Sequence, residues 1–302
     1  MNKIGAYLRL MRPANIVTAI ADVMMGYAAS GALLAWQRWQ NGLEAGNLYM
    51  LGWLALATIG LYGGGVVFND VFDADLDRVE RPERPIPSGK ASVAGASILG
   101  AALLLGGVLA AWQVSATSAG LAITVALLAL LYDWKGKHHP VLGPVNMGAC
   151  RGGNLLLGVS AIPAAVQELW FIALIPIVYI SAITMVSRGE VHGGNTAALK
   201  AAVLMYVLVF AGIMSLALLP QFNLLYSLPF LLLFAFLIFP PLLKAMPAKE
   251  PKLIIKAVKA GILALIVMNA SMAAGFAGWQ YGLVVLLLLP VSIYIAKSFA
   301  VT

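Results

Sequence analysis

Residues 48–68 read LYMLGWLALATIGLYGGGVVF, and residues 69–78 follow without a break as NDVFDADLDR. The first run carries no charge and is long enough, at 1.5 Å per residue, for an α-helix to cross the ~30 Å hydrocarbon core of a bilayer. The second opens the most acidic stretch of a chain otherwise poor in charge. Similar apolar runs recur in about ten blocks, near 14–35, 48–68, 92–111, 114–131, 141–162, 168–187, 199–219, 223–243, 258–277 and 279–297. The 302 residues are 62% hydrophobic and 10% charged with a mean hydropathy of +0.92, which excludes a soluble domain. Blocks of roughly 17 to 23 residues also exclude an outer-membrane barrel, whose strands run ~10 residues with alternating polarity. The fold class is therefore all-α. The expected architecture is a polytopic membrane bundle of about nine or ten transmembrane helices, a single integral-membrane domain over 1–302, with 279–302 an additional C-terminal transmembrane helix.

Charge sorts the connections into two sides. One side receives Lys3, Arg9 and Arg12, then Arg78, Arg81, Arg84 and Lys90, then Lys135 and Lys137, then Arg188 and Lys200, then Lys244, Lys249, Lys252, Lys256 and Lys259. These are sixteen of the nineteen Lys and Arg residues; the other side, with Arg38 and Glu44, is nearly bare. The positive-inside bias places the rich side, with the N-terminus, in the cytoplasm. The net charge of +7 thus marks topology and anion ligands; the cations are not gathered with aromatics on a soluble face, so no nucleic-acid partner is expected. The first apolar block is too long for a signal-peptide core and is expected to remain as a membrane helix. Cys150 is the only cysteine, so no intrachain disulfide can form.

Six of the twelve acidic residues, Asp70, Asp73, Asp75, Asp77, Glu80 and Glu83, fall within fourteen positions. On a helix continuing out of the membrane, Asp70, Asp73 and Asp77 share one face with Asn69 on its flank, while Asp75 points away. Like charges so placed repel unless a cation lies between them, and hard oxygen donors suit Mg2+, which bridges a few carboxylates to phosphate oxygens. Phosphate is suggested again by Arg78, Arg81, Arg84 and Lys90, set among Pro82, Pro85, Pro87 and Gly89 in an ordered, non-helical loop. The plainer readings are a solvated acidic run and cytoplasmic anchoring charges.

Within the spans, Asp22 and Arg151 would each cost ~3 kcal/mol at the bilayer centre and are expected to face a cavity. Arg151, with Asn154 and Asn146 along one helix face, could meet a diphosphate or pair structurally with Asp22; Asn15 and Thr18 could contribute in the same way. Tyr132, Lys135 and Lys137 belong to a loop whose cations could reach a phosphate, and His138 and His139 lack metal-site spacing. Gly63, Gly64 and Gly65 fit close helix packing better than a nucleotide loop. The basic run from Lys249 to Lys259 reads as an interfacial helix on anionic lipid.

The pattern Asn69-Asp70-x-x-Asp73-x-x-x-Asp77, followed by Arg84-Pro85-Ile86-Pro87-Ser88-Gly89, resembles the first aspartate-rich motif and trailing loop of the UbiA superfamily of intramembrane prenyltransferases. Arg12-Pro13 with Asn15, Tyr132 with Lys135 and Lys137, and Leu142-Gly143 extend the likeness. The stretches 12–19 (RPANIVTA) and 80–89 (ERPERPIPSG) look most like its EboC-like branch. The resemblance implies a bundle around a central lipid-accessible cavity, capped by the loops after spans two and six. It also implies Mg2+ as cofactor, an isoprenyl diphosphate donor and a small, aromatic or polar acceptor, with pathway proteins as further partners. Asn69, Asp70, Asp73 and Asp77 would be catalytic, and Asp70, Asp73, Asp77 and Glu190 would hold metal. Asn15, Arg78, Arg84, Tyr132, Lys135, Lys137, Asn146, Arg151, Arg188 and Glu190 would bind substrate. The family's second motif, D-x-x-x-D after span six, is missing: 187–196 reads SRGEVHGGNT, with Glu190 as its single acid beside His192 and Asn195. That departure leaves a second function open, a non-catalytic carrier or transporter of a lipid diphosphate or biosynthetic intermediate.

Overall fold

The computed structural model describes residues 3–33, 46–193, 196–248 and 250–299; Arg38, Glu44, Asn195 and Lys249 lie outside the described residues, as do the side chains of Lys3, His138 and His192. In chain order the helices are α1 (Lys3–Leu10), α2 (Pro13–Ala29), α3 (Gly46–Phe72), α4 (Ala74–Glu80), α5 (Val93–Trp112), α6 (Ala116–Trp134) and α7 (Leu142–Val159). Next, α8 (Pro163–Leu169) passes through a 3-10 turn into α9 (Leu174–Ser187). The chain continues with α10 (Gly189–His192), α11 (Thr196–Ser215), α12 (Leu224–Ala248), α13 (Pro251–Ala277), α14 (Trp279–Leu286) and α15 (Leu288–Phe299). No strand occurs among the described residues.

Lipid offers no partner for a free amide, so each span must close its own hydrogen bonds and end on a local cap. Ser92 and Ser115 cap α5 and α6, their hydroxyls each accepting at 3.0 Å from the backbone N–H of Gly95 and Ser118. Pro13, Pro163 and Pro251 stand in the first turns of their helices, where a missing N–H costs nothing.

Among the described residues, eight segments are long and apolar enough to cross a bilayer, Leu48–Phe72, Val93–Trp112, Ala116–Trp134, Pro163–Ser187, Thr196–Leu218, Leu224–Ala248, Pro251–Ala277 and Trp279–Phe299. Two expected spans fall short. These are α2 and α7, of 17 and 18 residues, which carry Asp22, Arg151 and Asn154. They lie inside the bundle, α2 packing on α7, α13, α3 and α15, so protein rather than lipid solvates their polar groups. The basic run near 252–259 is no separate interfacial helix: Lys252, Lys256 and Lys259 are exposed on the first turns of α13, which simply runs past its apolar segment.

Asp22 is the hub of this interior. Its Oδ1 accepts from Asn269 Nδ2 at 2.7 Å and from Arg151 at 3.3 Å, and its Oδ2 accepts from Asn154 Nδ2 at 3.1 Å. Arg151 Nε stands 2.9 Å from Oδ2, off the hydrogen-bonding line, and the same guanidinium donates to the Thr18 carbonyl at 3.0 Å. Thr58 donates to Asn154, so α2, α3, α7 and α13 meet in one polar knot.

Small residues let the surrounding helices approach. On α3, a Cβ added to Gly60 would stand 2.5 Å from the Leu103 carbonyl and 2.8 Å from the Gly107 amide nitrogen; on α5, one added to Gly107 would meet the Ala57 carbonyl at 2.9 Å. Gly64 meets the Gly100 carbonyl in the same crossing, whereas Gly106 has open space beside it. Gly107→Ala should therefore cost about 1–3 kcal/mol through overpacking, while Gly106→Ala should be neutral or gain up to about 1 kcal/mol of helix propensity. Thermal unfolding in detergent distinguishes them, and equal midpoints would mean that the two backbones are free to part.

Candidate functional site

Helical bonding carries α3 into α4 through a single irregular residue. The Asp73 N–H donates to the Asn69 carbonyl at 3.0 Å and the Asp77 N–H to the Asp73 carbonyl at 2.8 Å, with Asp73 at φ −90°, ψ 4°. The i, i+3, i+7 spacing thus keeps Asp70, Asp73 and Asp77 together. Asp75 points outward, its side chain 92% exposed and 2.7 Å from Arg78.

Each of the three carboxylates is met by a cation from elsewhere in the chain. Arg12 lies 2.7 Å from Asp70; Arg84 lies 2.7 Å from Asp77 and 3.3 Å from Asp70; Lys137 pairs with Asp73. Asp70 and Asp77 are only 6% and 5% exposed, so water screens these pairs little. Arg12 takes φ 48°, ψ 64°, the only non-glycine with positive φ among the described residues. The following Pro13 disfavours the right-handed helical conformation at this position, and the left-handed alternative stores roughly 1–2 kcal/mol at the point where the chain meets Asp70.

The loop that delivers Arg84 is anchored at its back. Ile86 and Ala91 are buried with Leu10, Val67, Ala74 and Ala96, tying it to α1, α3 and α5. Gly89 turns the chain at φ 73°, and the Ala91 N–H donates to the Pro85 carbonyl at 3.0 Å.

Beneath this charged cluster lies a cavity of about 220 Å3. Arg12, Asn69, Tyr132 and Asp133 line it together with Arg151, Asn154 and Tyr62, and Leu61, Val66, Val125, Ala129 and Met147 supply apolar wall. Arg12 immediately precedes α2 and Asp22 lies ten residues on, so the polar knot stands about 15 Å from the Arg12 end.

Several expected ligands lie elsewhere. Arg78 faces solvent on Asp75, because its position on α4 falls off the Asp70 face. Lys135 is exposed, its amine 4.4 Å above the Trp134 ring. Asn146, with its amide turned to satisfy both neighbours, bonds the Leu128 carbonyl and the Tyr132 N–H at 3.2 Å, tying α7 to α6. Arg188 donates to the carbonyls of His139 at 2.7 Å, Pro140 at 3.1 Å and Lys137 at 3.3 Å, and so clamps the loop after α6. Asn15 is half-buried in the first turn of α2, and its carbonyl accepts from Thr18 at 2.7 Å. Arg151 both pairs with Asp22 and lines the cavity. Glu190 sits on α10 against α13, its carboxyl raised above the ordinary range by burial and drawn back by Arg81 and Lys259.

Two site residues carried little sequence signal. Arg12 is remote from the motif, and only the fold brings it to Asp70. Asp133, 4% exposed, accepts from Asn69 Nδ2 at 2.8 Å; its one sequence cue is a carboxylate at the end of an apolar span.

The hard oxygens here suit Mg2+. Among the described residues no three acidic, histidine or cysteine side chains converge on one point, but Mg2+ needs only one or two carboxylates when substrate oxygens and waters complete its shell. The donor set therefore fits an ion whose shell is completed by other oxygens.

The profile of the UbiA prenyltransferase family matches residues 23–251. Curated relatives include the digeranylgeranylglyceryl phosphate synthases of Methanoculleus marisnigri, 35% identical over 156 residues, 51% of this chain and 51% of the relative, and of Methanothrix thermoacetophila, 34% identical over 160 residues, 53% and 56%. The matched segment thus spans about half the length of these relatives. Among solved structures, one of a digeranylgeranylglyceryl phosphate synthase has TM-score 0.66 and 21% identity, covering 92% of this chain and 99% of its own. A UbiA homolog from Archaeoglobus fulgidus bound to DMAPP and Mg2+ has TM-score 0.55 and 15% identity, covering 93% and 98%. These two likenesses are of fold.

The raised carboxyl of Glu190 has a testable sign. Its folded pKa exceeds the unfolded value, so protonation favours the fold: the stabilisation is fully present below the unfolded pKa and is lost as pH rises through the folded pKa. Glu190→Gln should flatten that part of the pH dependence of Tm and equal or exceed the wild type at pH 7. A lower Tm at pH 7 would mean that Arg81 and Lys259 hold the ionised group more strongly than burial disfavours it.

Proposed function

The chain belongs to the UbiA prenyltransferase family, and from that premise we propose that it transfers an isoprenyl group from an isoprenyl diphosphate to a small acceptor, in a Mg2+-dependent reaction that releases diphosphate. The observation that carries this reading is the interleaving of Asp70, Asp73 and Asp77 with Arg12, Arg84 and Lys137 beside a cavity within the helical bundle. A neutralised cluster exchanges partners easily. An entering diphosphate would compete for the three cations, and one or two of the carboxylates so released would hold the metal. Bound there, Mg2+ supplies charge that stabilises the departing diphosphate. Arg12, Arg84 and Lys137 add fixed positive charge where negative charge develops. Tyr62 and Tyr132 line the cavity, where an aromatic ring can shield an allylic cation, and the apolar wall limits water. On the outside of the same α3–α6 pair, an apolar depression lined by Phe72, Leu130, Leu131 and Trp134 is suited to the donor's chain.

The positive-inside bias supports a cytoplasmic placement for the N-terminus and the loops after α4, α6 and α9. The relatives' name supports a hydroxyl of a glyceryl phosphate as acceptor, whereas the stretches 12–19 and 80–89 support an EboC-like placement within the family. Transfer to geranylgeranylglyceryl phosphate would set the chain with those relatives; transfer only to a phenolic acceptor would set it apart. The carrier reading draws on Glu190 standing alone after α9, and Mg2+-dependent donor binding without diphosphate release would select it.

The test is diphosphate release from geranyl and geranylgeranyl diphosphate by purified protein with Mg2+. Asp73→Asn should lower release at least 100-fold, on the order expected when a charged ligand is lost from the reacting centre, while Asp75→Asn should stay within about 2-fold because exposed pairs contribute little. Equal activity in the two variants would remove Asp73 from the site and, with it, this placement of the reaction.

A further inference from the structure

The cavity holds one carboxylate that the diphosphate site does not use. Asp133 closes α6 and lines the cavity beside Tyr132, 4% exposed. Its Oδ1 accepts from Asn69 Nδ2 at 2.8 Å, and its Oδ2 makes no hydrogen bond or ion pair among the described residues. By contrast, Asp22, Asp70, Asp73 and Asp77 are each paired with an arginine or lysine. The cations that act on Asp133 are Lys137 and Arg12, both engaged with other aspartates, and Asp73 adds a like charge. A buried carboxylate with one oxygen held and the other free costs folding energy that a neutral side chain would not. Proton transfer needs that same arrangement, a fixed oxygen bordering the space a reactant enters. Asn69, which holds it, immediately precedes Asp70, so one turn of α3 sets the distance between this oxygen and the diphosphate cluster.

Resting on the transferase reading, we propose that Asp133 is the base that accepts the acceptor's proton, and that the acceptor presents a hydroxyl to the cavity. The hydroxyl oxygen forms the new C–O bond to the allylic carbon. The bond from that carbon to the diphosphate oxygen breaks, its electron pair leaving with diphosphate. The hydroxyl proton passes to Asp133 Oδ2 and later to water. No oxidant or reductant is needed. The cavity, about 220 Å3, holds the reacting end of such an acceptor and not a long chain as well.

Asp133→Asn keeps an oxygen for Asn69 and removes the base. With Mg2+ and geranylgeranyl diphosphate, the variant should still show a thermal shift on donor binding, and it should lose far more of its transfer than of any diphosphate release measured without acceptor. Transfer to geranylgeranylglyceryl phosphate or to 4-hydroxybenzoate, whichever the wild type uses, should fall at least about 100-fold. Asp133→Glu should recover part of the transfer; should the Asn variant not fold, the Glu variant carries the test through the same split, with release kept and transfer reduced. Joint loss of release and transfer in a folded variant would place Asp133 in the diphosphate machinery and overturn the proposal, as would undiminished transfer. A wild type that neither binds nor releases the donor would instead bring down the transferase reading itself, an outcome that no Asp133 variant can produce.

Discussion

The buried pair of Asp22 and Arg151 is the constraint from which the bundle is organised. A lone charge at membrane depth is costly, and breaking a buried pair by removing one partner typically costs about 3–5 kcal/mol. Once Asp22 and Arg151 are present, α2 and α7 must lie together in the interior, with Asn154, Asn269 and Thr58 drawn in to complete the hydrogen bonding. The other helices then wrap this pair, closing on glycines at the α3–α5 crossing. Because Arg151 and Asn154 also line the cavity, the knot that fixes helix order fixes the cavity's inner lining as well.

The opposite end is organised by the same electrostatic logic, with a different outcome. In the interior the charges are satisfied by one another and by amides. In the outer cluster, three aspartates are satisfied only by long, separately anchored cations. Such pairs can part without unpacking the core, because Arg84 and Lys137 come from loops. Arg12 differs, since its backbone is held beside Pro13 in a left-handed conformation.

The fold was legible in sequence wherever hydrophobicity alone decides. Eight spans follow from length and apolarity. The two that fail that criterion, α2 and α7, are enclosed by protein, and no hydropathy rule distinguishes a short polar span from an interior helix. Helical spacing placed Asp70, Asp73 and Asp77 together and Asp75 apart, because that geometry is local. It could not choose among the cations: Arg78 and Lys135 are as close in sequence to the motif and loop as Arg84 and Lys137, and tertiary packing alone separates them. The pairing of Arg12 with Asp70 and of Asp133 with Asn69 was hidden for the same reason, each residue reaching the site from a distant part of the chain.

The loop after α9 makes the last point about how a site can be distributed. By sequence it lacks the paired aspartates that would give it a metal of its own, and Arg188, the residue best suited to meet a phosphate, spends its guanidinium on three backbone carbonyls. One of those carbonyls belongs to Lys137, whose amine meets Asp73. Arg188 thus fixes the backbone from which a cation of the cluster extends, and Glu190 on the same loop lies within the field of Arg81 from the loop after α4. The loop after α9 therefore sets the backbone geometry from which Lys137 reaches Asp73. That support depends on guanidinium–carbonyl bonds and not on the identity of a carboxylate.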